Sequence, residues 1–535
     1  MFKKLVRKFK YLNLKAMNNS VKDHAINEGN EKKVAIPKSI SEIKRNLGEI
    51  FSDSSDFVIR EITVGNQKQV KVIIAFIDGL VNKKLINNNL LRPIMLESRH
   101  VDLEHGLKRQ AISTILMEHL LTTSDLSEVN DFKQTINDIL SGDTIIFIDG
   151  ETLALRANLR GWESRGVVDP ETESVVRGPR EGFTETLRTN TSLIRRKIIN
   201  PNLKLENLTI GERTNTSVCI AYIKGIADEK IIETVRRRLK EIKTDAILES
   251  GYIEEFIEDA PFSIFASVGN SEKPDIVAAK LLEGRVAILC DGTPFVLTVP
   301  YLFIEGFQAS EDYYSRAAFS SAVRILRIIA FLITTTLPAL YLAFTSFTPE
   351  VIPFKLLLTI LASRVGIPYS VFTEAFLMLL SFELLREAGV RIPKPVGPAV
   401  SIVGALVIGQ AAVEAGLAST PMVIITAITA ISSFITPPLA GTMPFLRLAF
   451  LIGANIAGFL GLIFTAIIFL IHLCAIRSFG VPYLSPFAPI TARDLKDTLV
   501  RVPIWAMLTR PRVLTWENTP ELKYRMKINL RQKED

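Results

Sequence analysis

Gln410 and Glu414 stand out first, because they interrupt an otherwise apolar segment, GPAVSIVGALVIGQAAVEAGL (Gly397–Leu417). Spaced four apart, they share one helical face, which runs back through Val407, Leu406 and Val403. A carboxylate and an amide in hydrocarbon are costly and usually face a bundle interior or water. One reading is a helix–helix hydrogen bond in a tight bundle. Gly397, Ala399, Ser401, Gly404, Ala405, Gly409, Ala411 and Ala412 would permit the close contact. The other reading places several copies of the segment around an axis. Val403, Leu406 and Val407 would then form an apolar constriction that gates by dewetting, with Gln410 and Glu414 as a cation-favouring vestibule. Glu374 and Glu383, in a neighbouring apolar stretch, are possible cation-attracting acids that would add to this field.

Elsewhere the chemistry-bearing residues converge on nothing catalytic. Asp149 and Asp291 each precede a glycine between two apolar strands, where hairpin turns explain them better than a paired acid site. His100 and His105 lie five apart, not the four that sets metal ligands on one helical face. Cys219, Cys290 and Cys474 are too scattered for a disulfide framework or a zinc site. With no nucleophile motif and no phosphate loop, neither an enzyme nor a bound cofactor is expected. The stretch RGPREGFTETLRTNTSLIRRKI (Arg177–Ile198) is rich in arginine. Arg177, Arg180, Arg188, Arg195 and Arg196 form either a subunit-contact or anion site, or a solvated basic helix bridging two subdomains.

The elements that carry these residues divide the chain. Charges occur every few positions in residues 1–320 and become rare from Ile325 to Ala475. The net charge of +7 concentrates in the N-terminal arm and after the apolar region, as at the cytoplasmic ends of membrane proteins. No basic-aromatic platform points to nucleic acid. Within the apolar region, Ile325–Phe347 is long enough to span and contains Pro338. Val351–Ser363 reads as interfacial or re-entrant, followed by Tyr369–Leu385, Pro398–Leu417, Pro421–Pro438 and Phe445–Ala475. The basic loop Arg386, Arg391 and Lys394 argues for the cytoplasmic side, as do both chain ends. Five full spans would put those ends on opposite sides, so the reading is four spans plus one re-entrant or interfacial helix.

The charged half contains a duplication. ITVGNQKQVKVIIAFIDG (Ile62–Gly79) aligns without gaps on LTIGERTNTSVCIAYIKG (Leu208–Gly225), at an offset of 146. GDTIIFIDGETLAL (Gly142–Leu155) matches GRVAILCDGTPFVL (Gly284–Leu297), at an offset of 142. Each unit reads as two strands, a helical stretch and a strand pair joined by Asp-Gly. Helices are expected over 107–121 and 131–140 in one unit, and over 228–243 and 275–283 in the other. The expected fold class is an α/β soluble region of two duplicated subdomains followed by an all-α polytopic membrane domain. The boundaries are a basic arm at 1–50, subdomains at 51–160 and 203–310 with a linker at 161–202, a membrane domain at 311–480, and a cytoplasmic tail at 481–535.

With those stretches in view, the sequence resembles the A subunits of GerA-type spore germinant receptors (the GerA/GerK group), from roughly Phe57 to Thr519. The family-like segments are RGPREGFTETLRTNTSLIRRKI, DGTPFVLTVPYLF followed by EDYYSR, TTTLPALYLA, and PVGPAVSIVGALVIGQAAVEAG. The resemblance implies a multi-pass protein of the spore inner membrane with its large N-terminal domain cytoplasmic. It also implies a homo-oligomeric, pentameric cation channel gated by nutrient. Its partners would be membrane lipid, a transporter-like B subunit and a lipoprotein C subunit. A paralogous channel subunit, SpoVAF, shares this architecture. Competing readings are a secondary transporter component and a signalling scaffold without a pore.

Overall fold

A computed structural model describes residues 34–64, 70–96, 112–117, 125–162, 175–391, 407–491 and 494–507, with Pro170, Glu173 and Arg510. Two compact units emerge: residues up to Trp162 with Ile199–Pro201, and the remainder. The first holds one sheet. The second holds another sheet and the apolar helices.

In the first unit, helix α1 (Ile40–Ile50) precedes strands β1 (Phe57–Val64) and β2 (Val70–Ile77). Helical turns follow at Lys83–Leu85, Ile86–Leu91 and Arg92–Leu96. Then come β3 (Leu126–Val129), α2 (Phe132–Leu140), β4 (Thr144–Ile148) and β5 (Ala154–Ala157). The antiparallel sheet runs β1-β2-β4-β5-β3. Alternation along β2 sends Val72, Ile74 and Phe76 to one core, and Ile73, Ala75 and Ile77 to another beneath α1 and α2.

The second sheet, β6-β7-β9-β10-β8, repeats this order. Helix α3 (Leu187–Lys197) precedes β6 (Leu203–Ile210) and β7 (Thr216–Ile223). Helices α4 (Glu229–Glu241) and α5 (Ser250–Ile257) lead to β8 (Gly269–Ser271). Helix α6 (Pro274–Leu282), β9 (Val286–Cys290) and β10 (Val296–Val299) complete the unit. Both sequence offsets reappear in register. Phe57 pairs with Ile77 as Leu203 pairs with Ile223, and β4 and β5 sit 142 residues before β9 and β10.

The duplication reaches further than the aligned blocks. Asp149 Oδ1 accepts from the Ile40 N–H at 3.1 Å, and Asp291 Oδ1 accepts from the Leu187 N–H at 2.9 Å. Each Asp-Gly hairpin therefore supplies a carboxylate to the first turn of the helix that opens its unit, where free N–H groups and the helix dipole favour it. Two expected boundaries change accordingly. Residues 40–50 are not part of a basic arm: Ile40, Ile43 and Leu47 are buried on the first sheet. Nor is 187–197 a linker helix, since Leu187, Leu193 and Ile194 pack on the second sheet. Sequence reasoning also passed over the turns at 83–96, helix α5 and the short edge strands β3 and β8. Most of the expected helix 107–121 lies outside the described residues, with 112–117 helical.

The apolar helices are α7 (Ala317–Ser346), α8 (Phe354–Ser363), α9 (Val371–Arg391), α10 (Thr420–Ser433) and α11 (Met443–Ala475), with a further helical stretch at 407–414. Of those described, α7 and α11 are long and apolar enough to cross a membrane. Helix α11 is not straight. Its backbone leaves helical geometry at Ala457 and at Gly458, where φ is 56°, and the chain folds back on itself. A Cβ on Gly461 would lie 1.8 Å from the Gly453 carbonyl oxygen, so the two arms touch backbone to backbone. Phe450 and Phe469 pack across the hairpin with centroids 5.8 Å apart and ring planes tilted by 36°. Both ends return to one loop of the second repeat. Thr442 Oγ1 donates to the Ile264 carbonyl at 2.8 Å, and His472 Nε2 lies 3.0 Å from Ser263 Oγ.

The chain after α11 is not a loose tail. Ser478 Oγ accepts from the Tyr301 N–H and donates to the Ser267 carbonyl, while Phe479 and Val481 enter the core of the second repeat. The tail expected from residue 481 is thus structural through at least Arg501.

Candidate pore helix and buried charges

The stretch 407–414 carries the polar pair. Gln410 Nε2 donates to Glu414 Oε1 at 2.9 Å, so the two share one face as their spacing requires. That face is uncovered within a single chain: Val407 is 57% exposed, and Gln410 and Glu414 are exposed. The opposite face packs, with Ala412 buried and a Cβ on Gly409 reaching 3.3 Å from Val423. Val403 and Leu406 lie outside the described residues. The intrachain hydrogen bond leaves the packing reading without a partner helix among the described residues.

The two other acids are held differently. Glu374 is fully buried, and its Oε1 accepts from the Ser419 N–H at 2.6 Å and from the hydroxyl at 2.5 Å. It thereby stabilises the N-terminus of α10, with Arg364 Nη2 3.7 Å from its other oxygen. Glu383 accepts from Arg447 at 3.0 Å and pairs with Arg386 at 2.9 Å. Each acid is compensated by arginine, and neither offers a bare charge to a cation. The sequence reading missed Arg447 in this role. Its signal was an arginine inside the longest apolar stretch.

A second buried charge cluster lies at the entrance of α7. Arg324, fully buried, donates to Asp312 Oδ2 through Nε and Nη2 at 3.2 and 3.1 Å. Its Nη1 reaches the Asp497 carboxylate at 3.0 Å and the Thr498 carbonyl at 3.0 Å. Arg327 shares Asp312 at 2.9 Å, and Tyr313 Oη donates to Asp497 Oδ2 at 2.6 Å. Burial, then the Asp497 charge, pushes the Tyr313 phenol well above its ordinary value, so it stays a donor. Arg501 Nη1 donates to the Ser315 carbonyl at 2.9 Å. Arg324 and Arg327 at the start of α7 therefore belong to a charge network that includes the C-terminal segment.

The five arginines of 177–196 do not make one surface. Arg195 is fully buried and donates to the Leu203 carbonyl at 2.9 Å, because α3 lies on the sheet with that position turned inward. Arg196 pairs with Glu181 at 3.3 Å. Arg188 is half-buried, and Arg177 and Arg180 are exposed. As a five-residue anion or contact site, the set is corrected by Arg195.

Comparison with known proteins places this architecture. Residues 45–513 match the family described as Bacillus/Clostridium GerA spore germination protein. The chain belongs to the GerA spore germination family. Among GerA-family relatives, spore germination protein KA of Bacillus subtilis (strain 168) is 45% identical over 486 residues, covering 90% of this chain and 87% of that protein. An uncharacterized membrane protein of the same organism, YfkQ, is 42% identical, covering 89% of this chain and 91% of its own length. Among solved structures, the crystal structure of the N-terminal domain of the A subunit of the Bacillus megaterium spore germinant receptor GerK3 is 32% identical. It covers 51% of this chain and 99% of that domain, with a TM-score of 0.40.

Proposed function

We propose that this GerA-family chain is the A subunit of a nutrient germinant receptor and forms an oligomeric, pentameric cation channel in the spore inner membrane. It works with a transporter-like B subunit and a lipoprotein C subunit, and does no chemistry of its own. The reading rests on one observation: the Val407–Gln410–Glu414 face is the polar side of an apolar-domain helix and is left uncovered by its own chain. Copies related by an axis would cover it and line a water path with acids. Nutrient binding by a partner would shift the closed–open balance by its preference for one state.

The hairpin in α11 bears on the parity of the spans, because it begins and ends beside one loop of the second repeat. Call the end of the apolar domain beside the second repeat its near end. Helix α7 runs outward from it. Helices α9 and α10 each run back, because Glu374 meets Ser419 at the start of both, while further along them Thr429 meets Thr334 and Glu383 meets Arg447, which also reaches Thr334. The two arms of α11 run out and back, which supports a cytoplasmic side for the segment that follows them.

The channel is tested with purified oligomer in lipid vesicles. Val407→Ala is expected to raise cation leak without nutrient, and Glu414→Gln to lower cation-over-anion preference. Equal conductance and preference in both variants would reject the pore face. A scaffold would give oligomers and no conductance, and a transporter would accumulate labelled solute. The hairpin is read separately with a membrane-impermeant maleimide. Cys474 is the exposed native cysteine, while Cys219 and Cys290 are buried. The hairpin requires Cys474 to react from the side of the repeats, and an Ala457→Cys variant lacking Cys474 not to react from that side.

A further inference from the structure

Pro338 lies in the middle of α7 and has no N–H, so the Thr334 carbonyl four residues earlier lacks its intrahelical donor. In hydrocarbon no water is at hand to replace it, and an unmet carbonyl is expensive. The donor comes from the hairpin: Arg447 Nε lies 3.2 Å from the Thr334 oxygen. The same guanidinium gives Nη1 to Glu383 on α9 at 3.0 Å, and Arg386 holds the other carboxylate oxygen. Arg447 is 2% exposed and Thr334 fully buried, so the bond between them is not diluted by solvent, while Glu383 keeps an edge outward at 23% exposure. A single side chain thus closes the backbone gap of one helix and neutralises the acid of a second. A lysine cannot do both, being a point charge without the planar fork.

The geometry points to Arg447 as a positioning residue that couples the bend of α7 to α9. Helix α9 is the element that precedes the 407–414 face in the chain. Any shift of the bend at Pro338 that moves Arg447 therefore pulls on Glu383 and so on α9. The link to conduction rests on the channel reading. The lock itself does not, because its bonds lie among three helices away from the Gln410 and Glu414 face.

The test uses the full chain in vesicles, with the unfolding transition and baseline cation flux measured on the same variants. Arg447→Met should lower the transition, because Glu383 loses a buried partner and the Thr334 carbonyl its donor. Adding Glu383→Gln should restore part of the loss. Adding Pro338→Ala, which returns an N–H to Thr334, should restore another part. Such non-additivity is the signature of contact, which a general packing role would not give. Arg447→Lys serves where Arg447→Met does not fold: it should keep the coupling to position 383 and lose that to 338. Additive effects in both cycles would overturn the lock. In a wild type that conducts, Arg447→Met should raise baseline flux and Pro338→Ala should lower it again, and unchanged flux would overturn the coupling to the pore. If the wild type never conducts, the channel reading fails, while the two stability cycles still decide the lock.

Discussion

The two soluble repeats share their strand order, their register and even the aspartate that caps the opening helix, yet they differ in what they bury. At the same place in the repeat, before β4 and before β9, the first has Asp143 and the second has Arg285. Asp143 is 2% exposed and takes Arg160, itself 40% exposed, in a two-pronged pair at 2.8 and 2.9 Å. Arg285 is buried with Glu305, which Lys280 also approaches at 3.2 Å. Glu305 lies in the segment leading to the apolar helices, and the adjoining core takes in Leu439, Met443, Phe479 and Val481 from the hairpin and the C-terminal segment. Duplication has kept what the backbone requires and let side-chain charge diverge. The second copy has become the platform on which the apolar helices are built.

The largest expected effect breaks this contrast in charge. Glu305→Gln leaves Arg285 and Lys280 buried without their shared carboxylate, a loss of about 3–5 kcal/mol by the behaviour of broken buried pairs. Asp143→Asn does the corresponding thing in the first repeat, where the arginine left behind is partly in water. There the cost should be nearer about 1–3 kcal/mol. Hydrogen exchange on the full chain reads both repeats in one molecule. Loss of protection should be deeper for Glu305→Gln and confined to the second repeat and its apolar attachments. Equal losses would mean that the second repeat is not the more tightly coupled one.

The next effect sharpens the likeness. Asp149→Ala and Asp291→Ala each remove a carboxylate from the start of a buried helix, and each should cost about 1 kcal/mol, as helix-cap losses do. Protection should fall first in 40–50 for one and in 187–197 for the other, by similar amounts. A large effect from one and none from the other would show that the matching geometry carries unequal weight.

Much of this was legible in the sequence because it is periodic. Alternating residues such as Val72, Ile73, Ile74 and Ala75 declare a strand buried on both faces, and the Asp-Gly turns fix its neighbours. What escaped notice has local reasons. ISEIKRNLGEI and LRTNTSLIRRK share length and position but almost no residues, since a helix resting on a sheet needs only three or four apolar contacts. The basic residues around them look like an arm and a linker until the aspartates 109 and 104 positions away are seen to hold their first turns. The reversal in α11 escaped for a similar reason. A largely apolar run of 33 residues reads as one helix unless the small residues Gly453, Ala457, Gly458 and Gly461 are seen as the place where two backbones meet. Gln410 and Glu414 were legible as one face from spacing alone. The arginines compensating Glu374 and Glu383 were not, because pairing across 10 and 64 residues leaves no mark on either neighbourhood.

The smallest expected effect separates the repeats by pH. In the second, burial raises the Glu254 carboxyl to about 7, with the Glu258 and Glu249 charges adding to it. In the first, burial raises Asp138 above its ordinary value, which is lower to begin with. For an acid whose folded value exceeds its unfolded one, the folded state binds the proton more tightly. The favourable contribution is then fully present below the unfolded value and is lost as pH rises through the folded one. For Glu254 that window runs from about 4.5 to about 7. Taking the full chain from about pH 8 to about pH 6 should therefore strengthen protection of α5 and its neighbours by under about 1 kcal/mol, given partial solvent screening. In the first repeat Asp138 carries the same sign. Glu254→Gln should remove the larger part of the gain at α5, the rest belonging to Glu258, whose carboxyl burial also raises, and leave the first repeat unchanged. A gain undiminished by Glu254→Gln would place the responsible proton elsewhere and remove pH as a means of addressing one copy of the duplication without the other.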